Sequence, residues 1–185
     1  MKFFRFIVIK IIKIYRNLYN YLRFFGKEVN IGKNTWISPR AIIKLNQGGK
    51  ITIGENVEIH PFAVLMTYGG EISIGNNSSI NPFSIVYGHG NCTIGNGVRI
   101  AAHVTLIPSN HIVNSKQPIY KSGVSSKGIV IEDNVWIGTG AKILDGIKVS
   151  SNVVIGAGSV VTASIEEGVI CAGVPAKVIR RVGNV

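Results

Sequence analysis

Apolar residues recur in this chain at every sixth position, and that spacing restricts the fold more than any other feature. Ile31, Ile37 and Ile43 are followed by Ile53, Ile59 and Leu65, then by Ile74, Ile80 and Val86, then by Ile94, Ile100 and Leu106. After an interruption the series resumes with Ile131, Ile137, Ile143, Val149, Ile155 and Val161. Gly32, Gly54, Gly75 and Gly95 each follow the first member of a triplet, Gly138 and Gly156 repeat that relation, and Pro39, Pro61 and Pro82 share one phase. A period of six matches neither the α-helix nor plain alternation along a long strand. It matches short β-branched strands separated by Gly, Asn and Pro corners. Three such units make one coil of a solenoid, with the periodic aliphatics stacked inside. Ile53 to Ile74 is 21 residues and Ile74 to Ile94 is 20, longer than three hexapeptides, so bulges are expected at corners near residues 66–71 and 87–91.

A chain of 185 residues supports one core rather than two. Cys92 and Cys171 form no disulfide framework and match no zinc spacing, which points to a reducing cytoplasm. The formal charge of +11 is uneven: Lys2, Arg5, Lys10, Lys13, Arg16 and Arg23 all precede the first acid, Glu28. Residues 1–27 read as a basic amphipathic helix, with those six cations in an arc of roughly 140° and a wide aromatic and aliphatic face beside them. Its cations interrupt the apolar run too often for a comfortable membrane span, and no small-residue cleavage site follows it. Two readings stay open. The helix lies on an anionic membrane surface, or its apolar face packs on the body or on another subunit. No reading motif accompanies the cations, so nucleic acid is not an expected partner.

The rhythm stops after Leu106 and returns only after Lys127. A long excursion from a compact solenoid is more often functional than accidental. Pro108, Ser109, Asn110, Asn114, Ser115, Gln117 and Pro118 make it polar and stiff, so a projecting loop over 107–128 is expected, with His111 near its root.

The hexapeptide pattern of residues 29–180 resembles the hexapeptide-repeat family, which implies a left-handed parallel β-helix with a triangular section. The stretches "YGHGNCTIGNGVRIAAHVTLIPSNH", "VWIGTGAKIL" and "VVIGAGSVVTASIEEGVICAGVPAKVIR" are similar to acetyltransferases of that family, notably those that O-acetylate sugars of capsules and surface polysaccharides. The fold this implies is all-β: an N-terminal amphipathic helix, a left-handed β-helix over residues 28–185 with a projecting loop after the fourth coil, and a short C-terminal helix. The activity it implies is direct acetyl transfer from acetyl-CoA to a saccharide hydroxyl, with His111 as general base. Imidazole titrates near neutrality, as a base for a weak hydroxyl nucleophile must. Neither cysteine lies in a nucleophile setting.

His89, in the glycine-flanked "YGHG" corner, and Asn81 are candidates for touching the acceptor. His60 and His103 read as structural residues of turns. No metal site is expected, although a histidine cluster for zinc is the alternative the four histidines leave. P-loop and dinucleotide-fingerprint contexts are absent. The resemblance instead implies a groove for acetyl-CoA between neighbouring subunits, with Trp136, Gly138, Gly140, Ala157 and Gly158 along the arm. It also implies Lys177 and Arg180 for the phosphates, and a homotrimer. The acceptor is then a nucleotide sugar, a lipid-linked unit or a polymer. The implied location is cytoplasmic, with a peripheral position on the cytoplasmic face of the inner membrane under the membrane reading. Two alternatives remain: N-acetylation of an amino sugar, and a non-catalytic scaffold that binds no CoA.

Overall fold

The computed structural model describes residues 2–113 and 116–183; within its first helix the side chains of residues 2–7, 9, 10 and 13 lie outside that description. Lys2, Arg5, Lys10 and Lys13 are therefore placed by their backbone only, and Asn114 and Ser115 lie outside the described residues.

Behind a helix over Lys2–Phe24, short strands wind into a parallel solenoid of three faces, consistent with a left-handed β-helix. The first face starts with Val29–Ile31 and Lys50–Ile53, the second with Trp36–Ile37 and Glu58–Ile59, the third with Ile42–Lys44 and Val64–Met66. Each strand pairs in register with its counterpart one coil on, as Ile53 with Ile74 and Ile59 with Ile80. Because side chains alternate across a strand, the two-residue strands turn one residue inward and the longer first-face strands, such as Lys50–Ile53 and Cys92–Ile94, turn two. Among those inward residues are the hexapeptide aliphatics: Ile59, Ile80, Leu65, Val86 and Leu106 are completely buried. Ile31 and Ile43 are only half-buried because the first coil has no coil beneath it; Phe24 of the helix is the buried cover there.

Corners carry the cost of the tight winding. Asn34, Asn56, Asn77, Asn134 and Asn152 adopt left-handed φ values of 55–61° in one corner column, a region Asn tolerates better than most residues. In the neighbouring glycine column the constraint is room. A Cβ added to Gly75 would fall 2.6 Å from the Gly95 carbonyl carbon and 2.7 Å from the Asn96 nitrogen. The excess residues of the longer coils are turns at 67–70 and 88–91, where the sequence spacing puts them.

The C-terminus departs from expectation. Instead of a short helix, Val169–Gly173 extends the second face and Ala176–Arg181 folds back on it antiparallel. Gly173 takes φ 105°, Pro175 lacks an N–H, and the β-branched Val169, Ile170, Val178 and Ile179 favour strand over helix. The exposed outer strand is guarded by Lys177, Arg180 and Arg181, as edge strands commonly are.

Gly75→Ala is expected to lower stability by about 1–3 kcal/mol through overpacking of one coil on the next. The check is the urea midpoint, and an unchanged midpoint would contradict the close packing of the corner column.

Candidate functional site

Three corners separate the three faces, and the candidate residues divide among them. The corner between the third face and the next coil holds the excursion. Tyr68, His89 and the loop occupy it in three successive coils. The Tyr68 and His89 rings stack with centroids 4.6 Å apart and planes at 11°, and Tyr87 packs edge-on against Tyr68 at 4.8 Å. Burial lowers the His89 pKa, and its Nδ1 is buried without a hydrogen-bond partner among the described residues. Burial, and beside it the Tyr68 hydroxyl, raise the pKa of the Tyr87 phenol. The returning loop passes against the same corner: a Cβ on Gly90 would lie 2.9 Å from the Gly128 nitrogen and 3.0 Å from the Ser126 Cβ.

The loop is an ordered hairpin at its root. Asn110–His111 pairs antiparallel with Val124–Ser125, His111 lies opposite Val124, and Ile112 N–H donates to the Gly123 carbonyl at 3.1 Å. His111 is exposed. Asp145, in the same corner one coil later, fastens both arms. Its Oδ1 accepts from the Lys127 N–H at 2.7 Å and the Gly128 N–H at 3.1 Å, and its Oδ2 accepts from Asn110 Nδ2 at 3.2 Å. The hairpin root that carries His111 is thereby fastened by a carboxylate through several charge-assisted bonds to Asn110, Lys127 and Gly128.

The corner between the second and third faces holds Asn81, Gly138, Gly140, Ala157 and Gly158. Asn81 is engaged, donating Nδ2–H to the Ile100 carbonyl at 2.8 Å. Phe62, Phe83, His103, Gly140 and Gly158 form one column of left-handed residues, with φ of 60–72°. Phe62 stacks on Phe83 and Phe83 on His103, each at 5.1 Å and 9°. The ring stack ends where the column turns to glycine, and a Cβ on Gly140 or Gly158 would meet nothing within 4 Å. The last coils therefore have an open ledge where earlier coils carry rings. Gly138 is tight instead, its would-be Cβ lying 2.6 Å from the Ala157 nitrogen.

Trp136 stands outward on the second face, 56% exposed. Register runs from Trp136 to Val154, then Ile170, then Arg180 of the tail strand. Three strand spacings put Trp136 and Arg180 in one row roughly 14 Å apart. Lys177 lies opposite Ala172 on the same tail strand. Beside Trp136, a cavity of about 400 Å³ is lined by Arg99, Asn134, Asn152 and Val182.

Within one chain the structure thus brings His89 to the loop root and aligns Trp136 with Arg180. It does not bring His111 together with Asn81 or the glycine ledge, which lie across the third face. His60 contacts Glu58 at 3.3 Å and packs perpendicular to Trp36 with ring centroids 5.3 Å apart, and His103 is part of the ring stack. Among the described residues no group of three or more His, Cys, Asp or Glu is placed to hold a metal ion. Both cysteines are buried; burial pushes the Cys92 thiol up to about 12 and raises that of Cys171. Asp145, Tyr68, Tyr87 and Arg99 were not singled out by sequence reasoning. Asp145 stands 18 residues after Lys127, one coil of three hexapeptides, and that spacing is the signal that could have found it.

Comparison with known proteins agrees with this geometry. The bacterial transferase hexapeptide (six repeats) profile matches residues 128–163. Galactoside O-acetyltransferase of Escherichia coli is 40% identical over 156 residues, covering 83% of this chain and 64% of that protein. An Escherichia coli protein described as a putative lipopolysaccharide biosynthesis O-acetyl transferase is 35% identical over 97 residues, covering 48% of this chain and 50% of that protein. The chain thus spans less than two thirds of the length of these curated relatives. Among solved structures, a maltose O-acetyltransferase from Clostridium difficile superposes with a TM-score of 0.62 at 32% identity, covering 69% of this chain and 67% of that one. A variant of AntD, an N-acyltransferase from Bacillus cereus in complex with dTDP-4-amino-4,6-dideoxyglucose and coenzyme A, superposes with a TM-score of 0.76 at 25% identity over 89% of each chain. The coils, corners and similarities define a hexapeptide β-solenoid. The chain belongs to the hexapeptide-repeat acyltransferase family.

Asp145→Ala is expected to free the hairpin root. Hydrogen–deuterium exchange at Lys127 and Gly128 should accelerate by at least about tenfold while the buried strands keep their protection. Unchanged exchange at those amides would remove Asp145 from this fastening role.

Proposed function

We propose that the chain transfers acetyl from acetyl-CoA to a hydroxyl of a saccharide, with His111 as general base, in a site shared between copies of a cyclic trimer. The observation that carries this reading is the mounting of His111 on a hairpin root pinned by Asp145. The names of the relatives, sugar O-acetyltransferases and a coenzyme A complex among them, support the reaction class. Residues of this chain fit an elongated thioester donor: Gly140 and Gly158 leave open space along one corner, and Trp136 and Arg180 stand in one outward row. The donor supplies an activated acyl carbon and a thiol leaving group.

The imidazole of His111 takes the proton of the acceptor hydroxyl as its oxygen bonds to the acyl carbon. The carbon–sulfur bond then breaks, and the imidazolium returns the proton to the departing sulfur. Buried thiols held in the protonated form offer no nucleophile for a covalent acyl-enzyme, which favours the direct route. Tyr68, Tyr87 and His89, clustered one to two coils before the loop, form the surface on which the acceptor rests in this reading. Asn81, across the third face, would reach an acceptor only from a neighbouring copy.

A second reading has its own support. The likeness to an N-acyltransferase bound to an amino sugar nucleotide covers 89% of the chain, and His111 would serve an amine equally well. Parallel assays with a hydroxyl-only and an amino sugar acceptor separate the two. A non-catalytic scaffold would bind no CoA.

His111→Ala is expected to cut acetyl transfer by at least about 10²-fold, with coenzyme A binding and oligomeric mass retained. A variant keeping more than half of the wild-type rate would exclude the base role. Neutral replacements of Lys177 and Arg180 together should raise KM for acetyl-CoA and leave the acceptor KM in place, because phosphate contacts are made equally before and during reaction. Steady-state titration of each substrate decides it, and an unchanged KM for acetyl-CoA removes the pair from the donor site.

A further inference from the structure

The N-terminal helix is docked on the body the opposite way round from an ordinary amphipathic helix. Its polar, basic side faces the solenoid. Asn20 Nδ2 donates to the Thr35 carbonyl at 3.0 Å, and Arg23 donates to the carbonyls of Ser38 at 2.9 Å and Ala41 at 2.6 Å. The Arg16 guanidinium sits 5.7 Å from the centre of the Trp36 ring. These contacts all reach the first coil, so the helix lies across the open end of the solenoid, with Phe24 buried beneath it. The apolar side is left outward. Exposed apolar side chains cover an arc of about 180° from Tyr21 round to Ile12, and Ile11, Leu18, Leu22 and Phe25 are each more than half exposed.

Charge on this end says what covers that face. Residues 1–50, the helix, the first coil and the opening residue of the second, hold 11 of the 20 Lys and Arg and 1 of the 9 acids. That places +10 of the formal +11 at one end of the molecule, while the other 135 residues are nearly balanced. A second copy is a poor occupant. Its helix-bearing end carries the same excess of +10, so two such ends set face to face repel. The arc is also wider than the seam of a coiled coil. A planar anionic surface with an apolar interior satisfies both features, and Tyr15 and Tyr21 on the exposed side suit its interfacial zone. No helix among the described residues is long and apolar enough to cross a membrane, so the contact is one of lying on the surface.

We propose that the apolar face of the N-terminal helix, with the basic first coil behind it, docks the protein on an anionic lipid bilayer. The proposal does not rest on the acyl-transfer reading. Its test is cosedimentation of the full-length chain with vesicles of phosphatidylglycerol and phosphatidylcholine in equal parts, and with phosphatidylcholine alone, at low and high salt. Expected are binding to the anionic vesicles, weakening of that binding at high salt, and much less binding to phosphatidylcholine. Leu18→Glu combined with Leu22→Glu should reduce the anionic-vesicle affinity by at least about tenfold, with circular dichroism and urea midpoint unchanged. Ile11→Glu, on the helix before its first contact with the body among the described residues, should act in the same direction and guards against any misfolding of the double variant. The proposal is overturned if the wild-type chain stays in the supernatant with anionic vesicles at low salt. It is also overturned if it binds both lipids equally, or if Ile11→Glu sediments as well as wild type. A wild-type chain that ignores vesicles while the Glu variants lower its oligomeric mass would assign the face to a second copy.

Discussion

Register between coils is the constraint on which the rest of this molecule depends. Gly54 donates its N–H to the Ile74 carbonyl and Gly75 to that of Ile94, and the same relation continues from Gly95 to Ile131 across the excursion. Each coil is a template for the next, so an outward residue has a fixed neighbour one coil away. The template tolerates extra residues only where strands are not pairing, which is at corners. The 22 residues of the loop over 107–128 leave and return at one corner, and the strands on either side keep their partners, as Cys92 with Ile129 and Leu106 with Ile143. A rigid scaffold that extrudes a loop without losing register can hold a side chain in place at that loop's root.

The same constraint decides which groups can meet. Residues in one column stack along the solenoid, as the Phe62, Phe83 and His103 rings do and as Tyr68 and His89 do. Residues on different corners of one chain stay apart. His111 belongs to one corner and the glycine ledge at Gly140 and Gly158 to another, with the third face between them. Under the proposed reading, a reaction needing both would be completed by a second copy that sets its ledge against the first copy's loop. Oligomer and activity would be inseparable under the proposed shared site.

Legibility from sequence followed the strength of repetition. The strands and inward aliphatics could be read because the pattern is written many times over, and the long corners at 67–70 and 88–91 because they lengthen a known period. The tail is not legible in the same way: "PAKVIRR" has no repeat to compare with, and a short segment with cations at 177, 180 and 181 fits a helix turn or an edge strand equally well. The direction of the N-terminal helix was not legible. An amphipathic wheel shows two sides but not which side meets the body, and only the bonds from Asn20 and Arg23 to first-coil carbonyls settle that. Asp145 escaped notice because an isolated acid in a corner gains meaning only once the coil length places it beneath Lys127.

The shared site is tested most directly by mixing two inactive chains. One carries His111→Ala; the other carries Ala157→Trp, an exposed corner position where a bulky ring fills the ledge without touching the core. If each site takes its loop from one copy and its ledge from the next, random mixed trimers form intact sites from Ala157→Trp loops beside His111→Ala ledges. Co-refolded equal mixtures should then regain about a quarter of wild-type acetyl transfer. Mixed trimers, confirmed by mass, that remain as inactive as either parent would place the whole site within a single chain and contradict the shared arrangement.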